Sequence, residues 1–420
     1  MIARPRPGGL SRPLAVVVVS ACLVLALFVP AAANAGGPPS LAVRAAALTE
    51  LSTGQLLYKD RAFSRAPIAS TTKLMTALVT LEHVKHLSRV FTQNDFYASS
   101  ADSQIGLVPG ERMSVHDLLL ALLLPSADDA AEDLAYNVGH RSVARFVGMM
   151  NARARQLGLK RTHYSTPSGL DTPGNYSTAT DLLTLARYLL LHQPWFARAV
   201  ALPHALLRTG NHERYVANRN DLIGRYPWVR GVKTGHTSGA GYVLVGAGTR
   251  RGMELLSVVL GTSSEYERDA NTLRLLGYGL STFRIATPVA AGQVIARPTV
   301  KDRPGVHTPV IAAHAVVKIV PRSPGLHWQV QVPRQLAGPM KRGTVVGKLT
   351  VLQGNRIVAE VPLLLAQRLQ AVSPLTKAAR FLTRPFTLVL LVVLLGAVLV
   401  CAVVWRSRAR EKRVAGPKAA

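Results

Sequence analysis

The stretch from Val232 to Gly261, VKTGHTSGAGYVLVGAGTRRGMELLSVVLG, carries the clearest fold signal in this chain of 420 residues. Two apolar runs, GYVLVGAGT and MELLSVVLG, are separated by RRG, and this pattern predicts a β-hairpin. Lys233, Thr234 and Gly235 lead into its first strand. An extended peptide can lie along such a strand edge, where the lysine supplies positive charge, the threonine a hydroxyl for a carboxylate, and the glycine space for close approach.

The sequence upstream of this hairpin mixes strand and helix signals. LAVRAAALTELSTGQLLYKD alternates apolar and polar residues around a turn and predicts another hairpin. Apolar spacing predicts helices over 115–124, 127–137 and 142–157, and Thr178 with Asp181 has capping-box spacing at a further helix start. A helix over SEYERDANTLRLLGYGL follows the two strands. The main part of the chain is therefore expected to be α/β (α+β).

A second short stretch, IASTTKLM at 68–75, places Ser70 three residues before Lys73 at a predicted helix start. On a helix this spacing puts both side chains on one face, where a neutral lysine amine can accept the serine proton. Free backbone N–H groups at a helix start can also hold an oxyanion. Taken alone, Ser-x-x-Lys is a weak signal, because a chain of this length contains one or two by chance, and a capping serine with a solvated lysine is the more common case.

Cysteine and charge narrow the classes of function. Cys22 and Cys401 both lie in apolar stretches near the chain ends, so a nucleophile in the middle of the chain must be Ser, Thr, Lys or a carboxylate. The net charge of +28 suits anionic envelope surfaces, although abundant solvated arginine explains any single basic residue as well. Basic and aromatic residues do not interleave, so no nucleic acid partner is expected.

Both ends of the chain carry targeting signals. Residues 1–35 combine three arginines, an apolar run from Leu14 to Val29 and small residues before Ala35, which predicts a signal peptide cut after Ala35. A lipoprotein signal ending at Cys22 is the rival interpretation, but the apolar run continues beyond that cysteine. Residues 386–405 are long and apolar enough for a transmembrane helix. The basic tail 406–420 then faces the cytoplasm, and the body of the protein lies outside.

Between these ends the sequence changes character near residue 285. From there to residue 366 short β-rich pieces such as AVVKIV and TVVGKLTVL are cut by Gly and Pro, which predicts a small all-β domain. Residues 367–385 are predicted to be a partly helical spacer leading to the membrane helix.

Three motifs in order resemble those of serine-type D-alanyl-D-alanine carboxypeptidases, the low-molecular-mass penicillin-binding proteins of peptidase family S11. These are Ser-x-x-Lys at Ser70, Ser126 with Asp128 two positions on, and Lys-Thr-Gly at Lys233. TGQLLYKDRAFSRAPIASTTKLMTALVTLE and TPSGLDTPGNYSTATDLLTLARYLL also resemble family sequence. The resemblance implies a β-lactamase/DD-peptidase-like domain at 40–284, with an antiparallel sheet flanked by helices, and the family's C-terminal β-domain at 285–366.

The resemblance also implies the reaction and its catalytic residues. Ser70 would be acylated by the penultimate D-Ala carbonyl of a peptidoglycan stem peptide, with Lys73 as general base. Ser126 would relay a proton to the leaving D-Ala. β-Lactam antibiotics would acylate the same serine as inhibitors, and neither a cofactor nor a metal is implied.

The substrate-binding residues implied by the resemblance lie mostly on the predicted strand. Lys233 would supply positive charge beside Ser126, Thr234 would bind the terminal carboxylate, and Gly235 would leave room for the peptide. The backbone N–H groups of Ser70 and His236 would form the oxyanion hole. Arg268 lies near where the family often has an arginine that binds the carboxylate.

The middle motif departs from the family pattern, because Asp128 stands where an asparagine is usual. An amide can donate a hydrogen bond to a substrate carbonyl, whereas an ionised carboxylate can only accept. A carboxylate near Lys73 would also hold that amine protonated. Three outcomes stay open: an enzyme with Asp128 protonated or reoriented, a slow enzyme, or an envelope protein that binds penicillin or peptidoglycan with little or no turnover.

Other interpretations of these residues are weaker. A β-lactamase of the major class that deacylates through a Glu is disfavoured, because 138–212 contains no Glu. His83 and His86 lack a third ligand for a metal and are expected at the surface. Asp129, Glu132 and Asp133 are expected early in a helix, where negative charge suits the helix dipole.

Overall fold

The computed structural model describes residues 37–96, 98–99, 102–371, 373–382 and 385–414. The predicted signal peptide and the last residues of the basic tail lie outside this part of the chain. Contacts divide the chain into two compact units, with the boundary between Arg284 and Ile285. Each unit is described by itself.

The first unit is built on a five-stranded antiparallel sheet with the order β2-β1-β9-β8-β7. The predicted hairpin is confirmed, since β8 pairs with β9 across a turn in which Arg251 and Gly252 both have positive φ. That conformation matches the twist of the flanking strands in tight hairpins. The strands of this unit are β1 Ala45–Glu50, β2 Leu56–Asp60, β3 Val90–Thr92, β4 Arg112–Ser114, β5 His204–Leu207, β6 Arg214–Ala217, β7 Val229–Thr237, β8 Gly241–Arg250 and β9 Met253–Thr262.

Helices surround this sheet and confirm the expected α/β architecture. The three central helices begin and end within one residue of the predicted limits, and Thr178 caps its helix by accepting from the backbone N–H of Asp181. The helices are α1 Lys73–His83, α2 Val115–Leu123, α3 Asp128–Val138, α4 Val143–Gln156, α5 Ala179–His192, α6 Pro194–Ala199, α7 Leu222–Arg225 and α8 Glu265–Thr282.

The start of α1 differs from the prediction of an α-helix that begins at Ser70. A 3₁₀ turn covers Ala69–Thr72, and α1 begins only at Lys73. No side chain caps either start. The Ser70 hydroxyl contacts Lys73 instead of a backbone N–H, which leaves it outside the usual capping role.

The apolar run LLLALLL at 118–124 is buried at every position. A helix that is apolar all round belongs in a protein core, and α2 packs against α1 and α3 there. This packing fixes the short link from Leu124 to Ala127, which carries Ser126, between two buried helices.

The second unit contains the predicted all-β region. A five-stranded sheet has the order β11-β14-β19-β18-β16, and its inner face forms a separate apolar core around Leu349, Val361 and Leu363. The elements are β10 Phe283–Val289, β11 Val294–Ala296, β12 Thr299–Val300, β13 Arg303–His307, β14 Val310–Ala312, β15 Val316–Pro321, β16 Leu326–Gln331, β17 Gln335–Leu336, β18 Val345–Gln353, β19 Arg356–Leu365, α9 Pro374–Leu382 and α10 Pro385–Val414. By length and composition, one helix in the described residues, Pro385–Arg410 within α10, can cross a membrane.

Candidate active site

Ser70 and Lys73 meet in the turn that precedes α1, as their spacing predicts. Lys73 Nζ lies 2.8 Å from Ser70 Oγ. The Lys73 side chain has no exposed surface, whereas Ser70 is partly exposed. A hydroxyl that a substrate can reach therefore contacts an amine that bulk water cannot.

Asp128 and Ser168 complete the surroundings of the Lys73 amine. Its Nζ lies 2.6 Å from Asp128 Oδ1 and 2.9 Å from the carbonyl oxygen of Ser168. Asp128 is the first residue of α3, so the packing of α1 on α3 brings this carboxylate within salt-bridge distance. The departure from the family pattern thus contacts the candidate base directly.

Opposing effects act on the pKa of Lys73. Burial is the largest and lowers the pKa below its usual value, and the Arg219 guanidinium adds to this. The carboxylates of Asp128 and Glu132 act in the opposite direction by favouring the charged amine. Since burial prevails, the amine loses its proton more easily than an ordinary lysine does.

Ser126 lies beside this group in an unusual backbone conformation. Its φ is +70°, and its buried Oγ has no hydrogen-bond partner among the described residues. Positive φ is uncommon for a residue other than glycine, and buried hydroxyls normally have a partner. Both features are typical of a functional position and leave the hydroxyl available to a bound molecule.

β7 carries the Lys-Thr-Gly motif along the outer edge of the sheet. Lys233 is buried, and its Nζ donates to the carbonyl oxygen of Thr234 at 3.1 Å. Burial lowers its pKa well below the usual value, and the nearby positive charges of Lys73 and Arg219 act in the same direction. An anion bound here would lie beside an amine that is shielded from bulk water and would favour its charged form.

Gly235 brings β7 against the Ser70 turn. A Cβ at this position would lie 2.9 Å from the backbone nitrogen of Ser70 and 2.9 Å from Val243 Cγ2. His236, the next residue, is exposed and stacks on Tyr242 with 4.0 Å between ring centroids. The edge of β7 therefore packs directly against the Ser70 turn at Gly235.

Arg268 lies on α8 and is close enough to Lys233 to lower its pKa. Its side chain is 3% exposed, and the guanidinium pairs with Glu265 Oε1 at 2.9 Å and Asp269 Oδ1 at 2.8 Å. A substrate carboxylate would have to share this guanidinium with two protein carboxylates. Arg268 therefore lies near the Lys-Thr-Gly motif, but its guanidinium is already paired with the carboxylates of Glu265 and Asp269.

The other acidic residues of α3 are largely buried, and their contacts go beyond a favourable interaction with the helix dipole. Asp129 accepts hydrogen bonds from the backbone N–H groups of Ile105 at 3.1 Å and Leu107 at 3.0 Å, which anchors that loop. Burial raises the pKa of both Glu132 and Asp133 to about 7. The expectation based on the helix dipole is therefore incomplete, because packing dominates the chemistry of these acids.

Two groups near the amines are not marked by any motif. Arg219 donates from Nε to the carbonyl oxygen of Pro125 at 2.8 Å and lowers the pKa of both lysines. Ser168 contributes only a backbone oxygen. Their positions depend on tertiary packing, and the sequence offers no spacing signal for either.

Comparison with known proteins gives the family. Residues 32–264 match the family described as D-alanyl-D-alanine carboxypeptidase, peptidase S11. The chain belongs to this family. Residues 283–371 match the C-terminal domain of penicillin-binding protein 5. The resemblance read from the three motifs is thereby confirmed, and so is the enzyme class.

Relatives of this carboxypeptidase family agree over most of the chain. D-alanyl-D-alanine carboxypeptidase DacC of Escherichia coli is 32% identical over 369 residues, covering 82% of this chain and 90% of that protein. The structure of penicillin-binding protein 5 of Haemophilus influenzae matches with a TM-score of 0.63 and 26% sequence identity, over 80% of this chain and 99% of that one. The structure of the Streptomyces K15 DD-transpeptidase matches with a TM-score of 0.56 and 31% sequence identity, over 58% of this chain and 99% of that one.

Gly235 gives a first prediction for this carboxypeptidase. Gly235→Ala places a methyl group against the backbone of Ser70, so we expect acylation by a fluorescent penicillin to slow by about 10²-fold, as when an oxyanion donor is displaced. Gly277→Ala is the matched control, since a Cβ there meets nothing within 4 Å. Equal labelling rates for both variants would contradict the close approach.

Glu132 gives a second prediction, on stability. Burial, with the Asp128 carboxylate, raises its pKa from the usual 4.5 to about 7. Between these values the folded enzyme keeps a proton that the unfolded chain has lost, so stability falls as pH rises through this window. We expect Glu132→Gln to flatten this dependence and to raise Tm near pH 8 by about 2–4 °C. Tm measured by thermal unfolding between about pH 5 and pH 8 tests this expectation, with Glu213→Gln as the exposed control. If Tm of Glu132→Gln depends on pH as steeply as Tm of the wild type, Glu132 is not the group responsible.

Proposed function

We propose that this carboxypeptidase removes the terminal D-Ala from peptidoglycan stem peptides through an acyl-enzyme on Ser70, outside the cytoplasmic membrane. The observation that supports it most directly is the 2.8 Å contact between Ser70 Oγ and Lys73 Nζ at the floor of a cleft bounded by β7. A nucleophile beside a buried amine and an open strand edge is the arrangement that acyl transfer from a peptide requires.

Acylation would begin when Ser70 Oγ attacks the carbonyl carbon of the penultimate D-Ala. Lys73, as the neutral amine, takes the hydroxyl proton. The backbone N–H groups of Ser70 and His236 stabilise the negative oxygen of the tetrahedral intermediate. When the peptide bond breaks, the proton passes through Ser126 to the amine of the leaving D-Ala.

Deacylation would return the serine to its starting state. A water molecule gives one proton to Lys73 as it attacks the ester carbonyl, and the shortened peptide leaves with a new carboxylate. Ser70 regains its proton from the same amine. One water is consumed for each D-Ala released, so atoms and charges balance over the cycle.

Substrate binding would rest on β7. Lys233 and the Thr234 hydroxyl hold the terminal carboxylate of the peptide, and Gly235 lets the backbone approach Ser70. Arg268 adds positive charge behind Lys233. Penicillins carry a carboxylate and a reactive carbonyl, so they would occupy the same positions and acylate Ser70.

A second function is supported by one observation, the 2.6 Å salt bridge between Asp128 and Lys73. A carboxylate at this distance favours the protonated amine, which opposes the effect of burial and weakens Lys73 as a base. The chain would then bind stem peptides or penicillins in the same cleft with little turnover. The two functions differ in the rate of D-Ala release and not in the place of binding.

The organisation of the chain follows the same proposal. The catalytic domain would span 40–284 and the β-domain 285–366, followed by a spacer at 367–385. Residues 386–405 would cross the cell membrane once, and the apolar surface of α10 supports this. Arg406, Arg408 and Arg410 would keep the tail 406–420 in the cytoplasm and the catalytic domain outside.

The experiment uses the full-length protein in detergent. It is incubated with a fluorescent penicillin, and separately with diacetyl-Lys-D-Ala-D-Ala while free D-Ala is measured. Labelling together with D-Ala release supports the carboxypeptidase. Labelling without release supports the binding function, and the absence of both refutes the site.

A further inference from the structure

The strand β16, Leu326–Gln331, forms one edge of the five-stranded sheet in the second unit. It pairs with β18 without a register shift, and in the described part of the chain β18 is its only strand partner. Alternate residues of a strand point their N–H and C=O groups to opposite sides, so half of these groups in β16 face away from β18. Every residue of β16 after Leu326 is exposed. The backbone of this edge is therefore open to another strand.

Proteins normally protect an edge strand from pairing with a foreign strand. Common devices are a charged side chain, a proline or a bulge within the strand. β16 has the sequence LHWQVQ, which contains neither a charged residue nor a proline, and its pairing with β18 has no bulge. Pro324 and Pro333 lie outside the strand, one near each end. β16 thus lacks these forms of protection over its whole length.

The two faces of β16 differ in polarity. Trp328 lies opposite Val351 and Val330 opposite Leu349, and both partners are fully buried in the core of the unit. Trp328 and Val330 themselves are 42% and 45% exposed, so they extend this apolar face beyond the part that the domain covers. A strand added here would have apolar neighbours on one face and polar neighbours on the other. The polar side chains of that other face are those of His327, Gln329 and Gln331.

The charge around this edge is positive. Between 285 and 371 eleven residues are Lys or Arg, whereas only Asp302 and Glu360 are acidic. Arg334 is exposed just beyond the end of β16, and Lys348 on β18 is exposed and pairs with Glu360 at 3.0 Å. An acidic segment is therefore attracted to this edge, and a second copy of the same domain is repelled.

We propose that β16 binds an extended acidic segment of another polypeptide, which adds to the five-stranded sheet as a further strand. Backbone hydrogen bonds along the open edge hold the segment. Apolar side chains at every second position pack beside Trp328 and Val330, and carboxylates at the positions between them face the polar side of β16. The inference concerns the β-domain and does not depend on catalysis at Ser70.

Short synthetic peptides test the inference on the full-length protein in detergent. The probes are EVEVEVE and its basic counterpart KVKVKVK, each labelled with fluorescein, and fluorescence anisotropy gives the dissociation constants. We expect EVEVEVE to bind at least about tenfold more tightly, and the difference to shrink in about 1 M NaCl. Binding of EVEVEVE no tighter than that of KVKVKVK would overturn the proposal.

A matched pair of variants locates the site. Val330→Glu places a carboxylate on β16, whereas Val294→Glu places one on β11, the opposite edge of the same sheet, where the valine is 43% exposed. We expect Val330→Glu to weaken binding of EVEVEVE by about tenfold and Val294→Glu by less than about twofold. Equal weakening would reflect net charge alone and would overturn the proposal. Trp328→Ala, which adds no charge, should weaken binding by about fivefold, and an unchanged affinity would also overturn it.

N-methylated peptides distinguish strand addition from attraction by charge alone. EVEVEVE is made with N-methyl groups either on the valines or on the glutamates after the first, and each set removes the N–H donors of one edge of the peptide. A strand added to β16 pairs through only one of its edges. One version should therefore bind as EVEVEVE does, and the other more weakly by about tenfold or more. Equal binding of both versions to the wild-type protein would overturn strand addition without recourse to any variant.

Hydrogen exchange and sedimentation identify what covers the edge. Bound EVEVEVE should slow backbone exchange in 326–331, as measured by mass spectrometry, and the protein without peptide should sediment as a monomer. A dimer that Val330→Glu dissociates would assign the edge to a second copy and overturn the proposal. Slow exchange of 326–331 without peptide, in vesicles of equal phosphatidylglycerol and phosphatidylcholine, would assign it to the lipid surface and overturn the proposal as well.

Discussion

Ser70→Ala is expected to abolish labelling by fluorescent penicillin and to reduce D-Ala release by about 10⁴- to 10⁶-fold, the range found when a serine nucleophile is removed. The reason is that acyl transfer needs the Oγ atom, and no other hydroxyl contacts the Lys73 amine in the described part of the chain. Single-turnover labelling and a D-Ala assay measure both effects.

The control for this variant is Ser88→Ala, which removes a hydroxyl from an exposed position. Ser70→Ala loses one hydrogen bond to Lys73, so its stability should change by only about 1 kcal/mol. Loss of activity with nearly unchanged Tm therefore isolates the chemistry from folding. If the fluorescent penicillin labels Ser70→Ala at the wild-type rate, the nucleophile is a residue other than Ser70.

Asp128→Asn is expected to speed acylation at about pH 7 by about 10- to 100-fold. The Asp128 carboxylate favours the charged form of Lys73, so its removal lowers the pKa of that lysine further and enlarges the neutral fraction. The acid limb of the pH–rate profile should move to lower pH. The gain should shrink at high pH, where wild-type Lys73 is already neutral.

Acylation rates between about pH 5 and pH 10 measure this effect, with Asp95→Asn as the exposed control. Asp128→Asn should also lower Tm at low pH, because it leaves a buried ammonium without its carboxylate partner. A slower variant at every pH would mean that Asp128 itself takes part in proton transfer. It would contradict the view that this carboxylate only restrains the base.

Local features of this fold could be predicted from the sequence because short-range geometry determines them. The contact between Ser70 and Lys73 follows from a three-residue spacing on a helical turn. The β8–β9 hairpin follows from two apolar runs around a two-residue turn. The cap of α5 by Thr178 follows from its spacing to Asp181.

Long-range features could not be predicted in this way. β1 pairs with β9 although about 200 residues separate them, and only burial of both in one core brings them together. The 2.6 Å contact of Asp128 with Lys73 depends on how α1 packs on α3. Asp171 accepts hydrogen bonds from Thr237 and Gly239, and a lone Asp in a loop gives no sequence signal of these long-range contacts.

The burial of Lys233 has a thermodynamic consequence for binding. Its lowered pKa means that Lys233 loses its proton more easily in the empty cleft than an ordinary lysine does, and a substrate carboxylate bound beside it, as the proposed function has it, would raise that pKa again. The proton on Lys233 and the bound carboxylate would therefore strengthen each other's affinity. Departure of the terminal D-Ala with its carboxylate would reverse this effect, so binding and release would be linked to the protonation of Lys233.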